Sequence, residues 1–251
     1  MQGKCYAKLI GGVGNQLFIL AAAYAYSRKY DKELIIDADN WVGGQGLCSK
    51  MYEDNLFKNF KYGSPQLYGV TPIREQSFNY NELPEITGDV SLNGYFQSLK
   101  YFDECKDEFL EMLNFPEVGW LHYLKSKNVA FHIRRGDYLL HKQIHHVCDT
   151  KFFEDRFRQF EGYQINVFTD SPSHVLKEFD SFDFKLLQTS SELSDISLMS
   201  KHSNIVCSNS TFSWWAAMMG NMEQVIVPAK WFANGQDTPD IFTDKMVKIE
   251  L

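Results

Sequence analysis

The chain is short of positive charge, of long apolar runs and of paired cysteines, and each shortage closes off a class of protein. Lysine and arginine number 25 against 32 aspartates and glutamates, a net charge of −7. A protein that holds nucleic acid through a basic surface needs the opposite balance, although a local arginine pair can still serve a phosphate ligand. The longest apolar stretch, Leu17 to Ala25, closes in Tyr26 and Ser27. That is far below the roughly 20 residues that cross a bilayer. Lys4 and Lys8 stand near the start with no sustained apolar run between or around them, so no signal peptide is expected. The five cysteines, Cys5, Cys48, Cys105, Cys148 and Cys207, are odd in number, widely spaced and without a C-x-x-C. They read as reduced thiols of a cytosolic protein. Internal repeats and low-complexity tracts are absent.

Several site motifs are missing as well. Without G-x-x-x-x-G-K-[ST], a P-loop NTPase is disfavoured. The cluster His141, His145 and His146 invites a metal, but no H-E-x-x-H accompanies it. A solvated or acceptor-facing loop is the preferred reading. No D-x-D triplet is assigned to a strand end, so a metal-bridged diphosphate lacks its usual handle. The first glycine loop, Gly11-Gly12-Val13-Gly14-Asn15-Gln16, resembles a dinucleotide fingerprint but lacks the G-x-G-x-x-G spacing. It implies a close backbone approach, to a ligand or to a neighbouring strand; Asp37 lies near the expected acidic position.

What is present describes an α/β protein. Hydrophobic residues make up 44% and aromatics 15% of 251 residues, enough for a packed core in one large domain or two small ones. Short β-rich runs alternate with helical ones, which favours parallel sheets. The first unit reads as strand Cys5–Ile10, tight loop, helix Asn15–Tyr30 and strand Glu33–Asp37. Residues 38–88 read as loops with short elements, followed by a strand at Asp89–Leu92 and a helix from Gln97 to Asn114. The second half reads as strands Val129–Ile133, Ile165–Phe168, Lys185–Leu187, Asn204–Cys207 and Gln224–Val227. Helices Asp149–Phe160, Pro172–Phe179, Leu193–Lys201 and Thr211–Met219 separate them. The expectation is two Rossmann-like domains, 1–120 and 121–251, facing across a cleft as in the GT-B architecture. The first is expected on the acceptor side and the second on the nucleotide.

Ligands of open parallel sheets bind beyond the carboxyl ends of the strands. Three exits in the second half are polar: Arg134, Arg135 and Asp137; Thr169 and Asp170; and Ser208, Asn209, Ser210 and Thr211. An arginine offers a planar, permanent charge to phosphate. Ser210 and Thr211 open a helix, whose free N–H groups favour an anion. Asp170 can accept from guanine or a ribose hydroxyl. Each feature also has a plainer reading: a salt-bridged surface turn for the arginines and Asp137, an N-cap for Ser210. Their convergence on one sheet edge points to a nucleotide diphosphate site built without a metal. Trp214 and Trp215 read as core packing of the last helix.

The same residues carry a family resemblance. Gly11 to Phe18, Gly94-Tyr95-Phe96-Gln97-Ser98, His132-Ile133-Arg134-Arg135-Gly136-Asp137-Tyr138, Val167-Phe168-Thr169-Asp170, Ser208-Asn209-Ser210-Thr211-Phe212-Ser213-Trp214-Trp215 and Pro228-Ala229-Lys230-Trp231 occur in the order seen in one family. The chain resembles the inverting α-1,2-fucosyltransferases of glycosyltransferase family 11. That resemblance implies a GT-B fold, GDP-β-L-fucose as donor, a glycan acceptor, and neither metal nor other cofactor. Carried over, Arg134 contacts the β-phosphate and His132 lines the nucleotide pocket. Ser210, Thr211 and Phe212 hold the diphosphate, Asn15 reaches the donor from the first domain, and Arg135 and Asn209 support the site. A second carboxylate often follows Thr-Asp in such sites; here it is Ser171. Asp137 stays open between catalytic base and salt-bridge partner. Another nucleotide sugar on the same fold, or a non-catalytic binding protein, are the rival readings. Residues 41–82 are expected to shape the acceptor pocket.

Overall fold

The structure is a computed structural model that describes residues 3–39, 48–143, 146–236 and 238–250. The chain divides into two compact units: Met1–Phe115 with Thr238–Thr243, and Pro116–Asp237 with Asp244–Leu251. Residues 238–243, expected with the second domain, thus pack with the first.

The first unit contains β1 (Lys4–Ala7), α1 (Val13–Lys29), β2 (Glu33–Asp37), β3 (Tyr62–Gly63), β4 (Val70–Arg74), β5 (Asp89–Asn93) and α2 (Lys106–Met112). Its five strands run in the order β3-β2-β1-β5-β4, with parallel pairing throughout. Helix α1 is the apolar run seen in the sequence, and Leu17 to Ala23 are all buried. Arg28 and Lys29 stand in its last turn, where cations suit the helix dipole. β1 and β5 are parallel neighbours at the centre of this sheet, so their exits lie side by side at its carboxyl edge.

The second unit contains β6 (Asn128–Ile133), α3 (Gly136–Leu140), α4 (Thr150–Gln159), β7 (Gln164–Thr169), α5 (Pro172–Glu178), β8 (Lys185–Leu186), α6 (Glu192–Met199), β9 (Asn204–Cys207), α7 (Thr211–Met219), β10 (Gln224–Pro228) and β11 (Met246–Ile249). Its six parallel strands run β11-β10-β9-β6-β7-β8. From β6 the chain winds outward through β7 and β8, then returns to β9 and winds the other way. This is the Rossmann strand order, and its switch point lies between β6 and β9. Every residue of β6 and β9 is buried, as expected of central parallel strands covered on both faces. Phe131 stacks on Phe157 with centroids 4.5 Å apart. Trp214 and Trp215 are buried in α7, the core role read from the sequence.

The main departure is the helix expected over Gln97–Asn114. Two 3₁₀ turns, Leu99–Tyr101 and Asp103–Cys105, precede α2. Phe102, with φ −142° and ψ 13°, interrupts the chain between them, so only residues 106–112 are α-helical.

Candidate functional site

The exits of β6, β7 and β9 are stitched together by short polar bonds. The Arg134 amide donates to Ser208 Oγ at 2.9 Å. Ser208 Oγ and the Ser208 amide donate to the His132 carbonyl at 2.9 and 3.0 Å. On the other side, Thr169 Oγ1 donates to the Ile133 carbonyl at 2.6 Å. Asp170 Oδ1 accepts from the Arg135 and Gly136 amides at 3.0 and 3.2 Å. Ser171 Oγ also accepts from the Gly136 amide, at 3.0 Å, so the hydroxyl standing where a second carboxylate was expected is part of this clamp. Residue 136 has no room for a side chain, since a Cβ there would overlap the Asp170 carboxylate. The glycine therefore follows from the close approach of the two exits.

The two arginines part company at this edge. Arg134 keeps 30% of its side chain exposed. Its Nε and Nη2 donate to Asp137 Oδ1 at 3.0 and 2.7 Å, and Nε also lies 3.0 Å from Asp170 Oδ2. Its guanidinium sits 5.5 Å from the centre of the Tyr138 ring. Two carboxylates and an aromatic face thus fix an accessible cation beside the switch point, and Nη1 has no protein partner among the described residues. Arg135 turns inward and is 2% exposed. Its Nε and Nη2 form a bidentate pair with Glu178, at 2.9 and 2.7 Å, and Nη1 donates to the Cys148 carbonyl at 2.8 Å. Arg135, expected as a supporting residue of the donor site, directs its guanidinium to these protein partners. Arg135 is an internal anchor from β6 to α5, as fork-to-fork pairing favours. Burial alone would raise the Glu178 carboxyl, but hydrogen bonds from Arg135 and Thr150 hold it below its ordinary value.

Other predicted positions fall into place around this pair. Asp137 forms the salt bridge to Arg134, one of its two expected roles. Asp170 is engaged by two amides and Arg134. Asn209 is likewise internal: its Nδ2 donates to the Trp231 carbonyl at 2.6 Å, while its own carbonyl accepts from Tyr138 Oη at 2.9 Å. It braces the turn that leads into α7. Ser210 is the N-cap of α7, with Oγ accepting from the Phe212 amide at 3.4 Å; Thr211 is the first helical residue. In the first unit, Asn15 lies in the opening turn of α1 beyond β1, and its Oδ1 accepts from Gln97 Nε2 at 3.0 Å. His146 is partly buried, whereas His145 lies outside the described residues, as does the stretch 41–47 of the expected acceptor region.

His132 is buried, its ring 5.3 Å from that of Phe212, and Nδ1 has no partner among the described residues. Burial lowers its pKa from 6.5 to about 3; the Arg134 charge adds to this and Asp170 opposes it. The ring is neutral at physiological pH and contributes shape and hydrogen bonding rather than charge. Its folded pKa lies below the unfolded one, so between about pH 3 and 6.5 the unfolded chain binds the extra proton. Stability is therefore expected to fall as the pH drops through that window, by up to about 1.4 kcal/mol per pH unit for each such proton. His202, lowered to about 4 by burial, adds to the effect. Urea midpoints across this range should decline less steeply in His132→Gln; an unchanged slope would contradict the assignment.

Contrary to expectation, one D-x-D triplet does stand at a strand end. Asp37-Ala38-Asp39 stands at the exit of β2, but Asp37 is buried and its Oδ1 accepts from the Asp39 amide at 3.0 Å, as in a turn. Among the described residues, no three of His, Cys, Asp and Glu gather as a metal site. No helix of the described residues is long and apolar enough to cross a membrane.

Comparison with known proteins identifies the family. Residues 47–248 match the family model Glycosyl transferase family 11. The alpha-1,2-colitosyltransferase of Escherichia coli is 26% identical over 284 residues, covering 97% of this chain and 98% of that one. The O-antigen biosynthesis glycosyltransferase WbnK of Escherichia coli is 26% identical over 302 residues, covering 97% and 100%. In fold, the chain is similar to the fucosyltransferase NodZ from Bradyrhizobium, with a TM-score of 0.53 at 12% identity over 88% of this chain and 94% of that one. The two Rossmann-like units are those of GT-B glycosyltransferases. On the family match, which spans most of the sequence, the chain belongs to glycosyl transferase family 11 and is a glycosyltransferase that draws on a nucleotide sugar.

Proposed function

We propose that the chain moves L-fucose from GDP-β-L-fucose to the 2-hydroxyl of a galactoside acceptor, with inversion at the sugar carbon and without a metal. One observation carries the reading: Arg134 is the accessible, doubly braced cation at the switch point whose other exit opens helix α7. The family's GDP-linked donor supports it, as does the similar NodZ alpha-1,6-fucosyltransferase structure co-crystallised with GDP, TM-score 0.51. Cytosolic placement, where nucleotide sugars are made, belongs to the same proposal.

The mechanism follows from where charge develops. As the bond from the sugar carbon to the β-phosphate oxygen breaks, the sugar becomes oxocarbenium-like and the diphosphate gains negative charge. Arg134 and the N–H groups at the start of α7 stabilise that charge. The acceptor oxygen then bonds to the opposite face of the carbon, and its proton passes to a base or to the departing phosphate. Asp137, held on Arg134, orients the guanidinium. His132 and Phe212 supply the neutral wall, and the family resemblance assigns Asn15 to the donor.

The colitosyltransferase relative favours a second donor. Colitose is 3-deoxy-L-fucose, so GDP-colitose would present the same diphosphate and differ by one sugar hydroxyl. Thermal shifts with GDP, UDP, GDP-fucose and GDP-colitose, followed by transfer to lactose-type acceptors in excess chelator, separate these readings. A nucleotide at a hundred times its Kd adds about 2.7 kcal/mol of stability. GDP and GDP-fucose are expected to stabilise the protein, UDP to have little effect, and transfer to persist in chelator. Strict dependence on Mn²⁺ would refute the metal-free reading. Tight GDP binding without turnover would favour a non-catalytic binder.

A further inference from the structure

A polar node in the first unit holds the segment next to Asn15 in an unusual shape. Glu75 follows the edge strand β4, and its amide donates to the Asn93 carbonyl at 3.0 Å, extending the ladder by one residue. Its side chain folds back over the exit of β5. There Oε2 accepts from the Tyr95 amide at 2.7 Å and Oε1 from the Phe96 amide at 2.8 Å. Successive N–H groups converging on one anion form a nest, filled here by the protein's own carboxylate.

The backbone under this clamp is strained. Phe96 has φ +52°, a left-handed conformation that costs a side-chain-bearing residue roughly 1–2 kcal/mol. Its ring is fully buried, edge-on to Tyr101 at 5.4 Å. Residue 94 must be glycine, because a Cβ there would run into the Glu75 side chain. Phe96 is followed by Gln97, buried, with its Nε2 on Asn15 Oδ1 at 3.0 Å. That bond ties the segment beyond β5 to the first turn of α1, beyond β1.

We propose that Glu75 is a positioning residue for transfer: it holds Tyr95-Phe96 in the left-handed turn, the turn sets Gln97, and Gln97 sets the Asn15 side chain beyond β1. This rests on the reading of Asn15 as a donor contact. Burial raises the Glu75 carboxyl above its ordinary value, and the two amides offset this only in part. Its folded pKa thus exceeds its unfolded one, so the stability it lends is present at low pH and lost as pH rises. A carboxyl whose burial opposes its charge, kept over a strained turn, fits a functional constraint.

Glu75→Gln preserves shape but turns one acceptor into a donor facing an amide N–H. The test combines the side-chain amide resonances of Asn15 and Gln97 in ¹⁵N-labelled protein with donor kinetics. In Glu75→Gln, both resonances are expected to shift while amides of the second unit stay in place. The donor kcat/KM should fall about ten- to a hundredfold. The double variant with Asn15→Ala should be within about twofold of Asn15→Ala alone, since the two act as one chain. Unmoved Asn15 resonances, or losses that multiply in the double variant, would overturn the proposal. Shifted resonances in Glu75→Gln, together with a wild-type protein that transfers no sugar, would support the linkage and overturn the donor reading instead.

Discussion

Arg134→Ala is expected to lower kcat by about a hundred- to a thousandfold, the range seen when one donor to developing negative charge is removed. The fold should survive. Arg134 is part-exposed, and its partners Asp137 and Asp170 keep 21% and 22% of their side chains exposed, so both carboxylates can be solvated once the cation is gone. Arg134→Lys retains a charge but not the planar fork that spans Asp137 and a phosphate, so an intermediate loss is expected. Steady-state transfer with GDP-fucose, alongside urea unfolding, separates catalysis from stability. Near-normal turnover in Arg134→Ala would remove this residue from the chemistry.

The neighbouring substitution should fail in the opposite way. Arg135→Ala leaves Glu178, 14% exposed, with only the Thr150 hydroxyl at 2.7 Å and the His174 ring at 3.4 Å among the described residues. Breaking a buried pair from one side costs about 3–5 kcal/mol, a large share of a domain's stability. Glu178→Ala should cost a similar amount, and the two losses should not add. The paired change Arg135→Met with Glu178→Leu should recover much of the stability and keep GDP affinity, because apolar packing replaces both charges. The Glu178 carboxyl sits below its ordinary value in the folded protein. The stability it lends is therefore present above about pH 4.5 and lost as the pH falls. An Arg135→Ala protein of wild-type stability but without GDP affinity would make Arg135 a phosphate ligand and overturn its role as anchor.

That contrast marks the limit of what could be read from the sequence. The central strands of the second unit were legible because parallel strands buried on both faces are continuous apolar runs. Asn204–Cys207 and Thr211–Met219 have the bounds expected of them. The polar exits followed from those strand ends. Which of two adjacent arginines faces outward did not, because the deciding partner, Glu178, lies 43 residues away on another helix. Strand β4 was hidden by Pro72, tolerated because β4 is at the sheet edge. Strand β3 is only two residues long, and β11 alternates too briefly to stand out. The false helix over 97–114 has a helical composition, but the Phe96 turn and the Phe102 break override it. Glu75 left no local sign, since its partners are about twenty residues away and are backbone amides.

The central claim, that Arg134 meets the β-phosphate of the donor nucleotide, is tested most directly by calorimetric titration of GDP and GMP into the wild-type protein and Arg134→Ala. GMP lacks the β-phosphate and serves as the internal control. A charged hydrogen bond is worth about 1.5–3 kcal/mol, so GDP affinity should drop by about ten- to a hundredfold in Arg134→Ala while GMP affinity stays level. Equal losses for both nucleotides, or none for either, would contradict it.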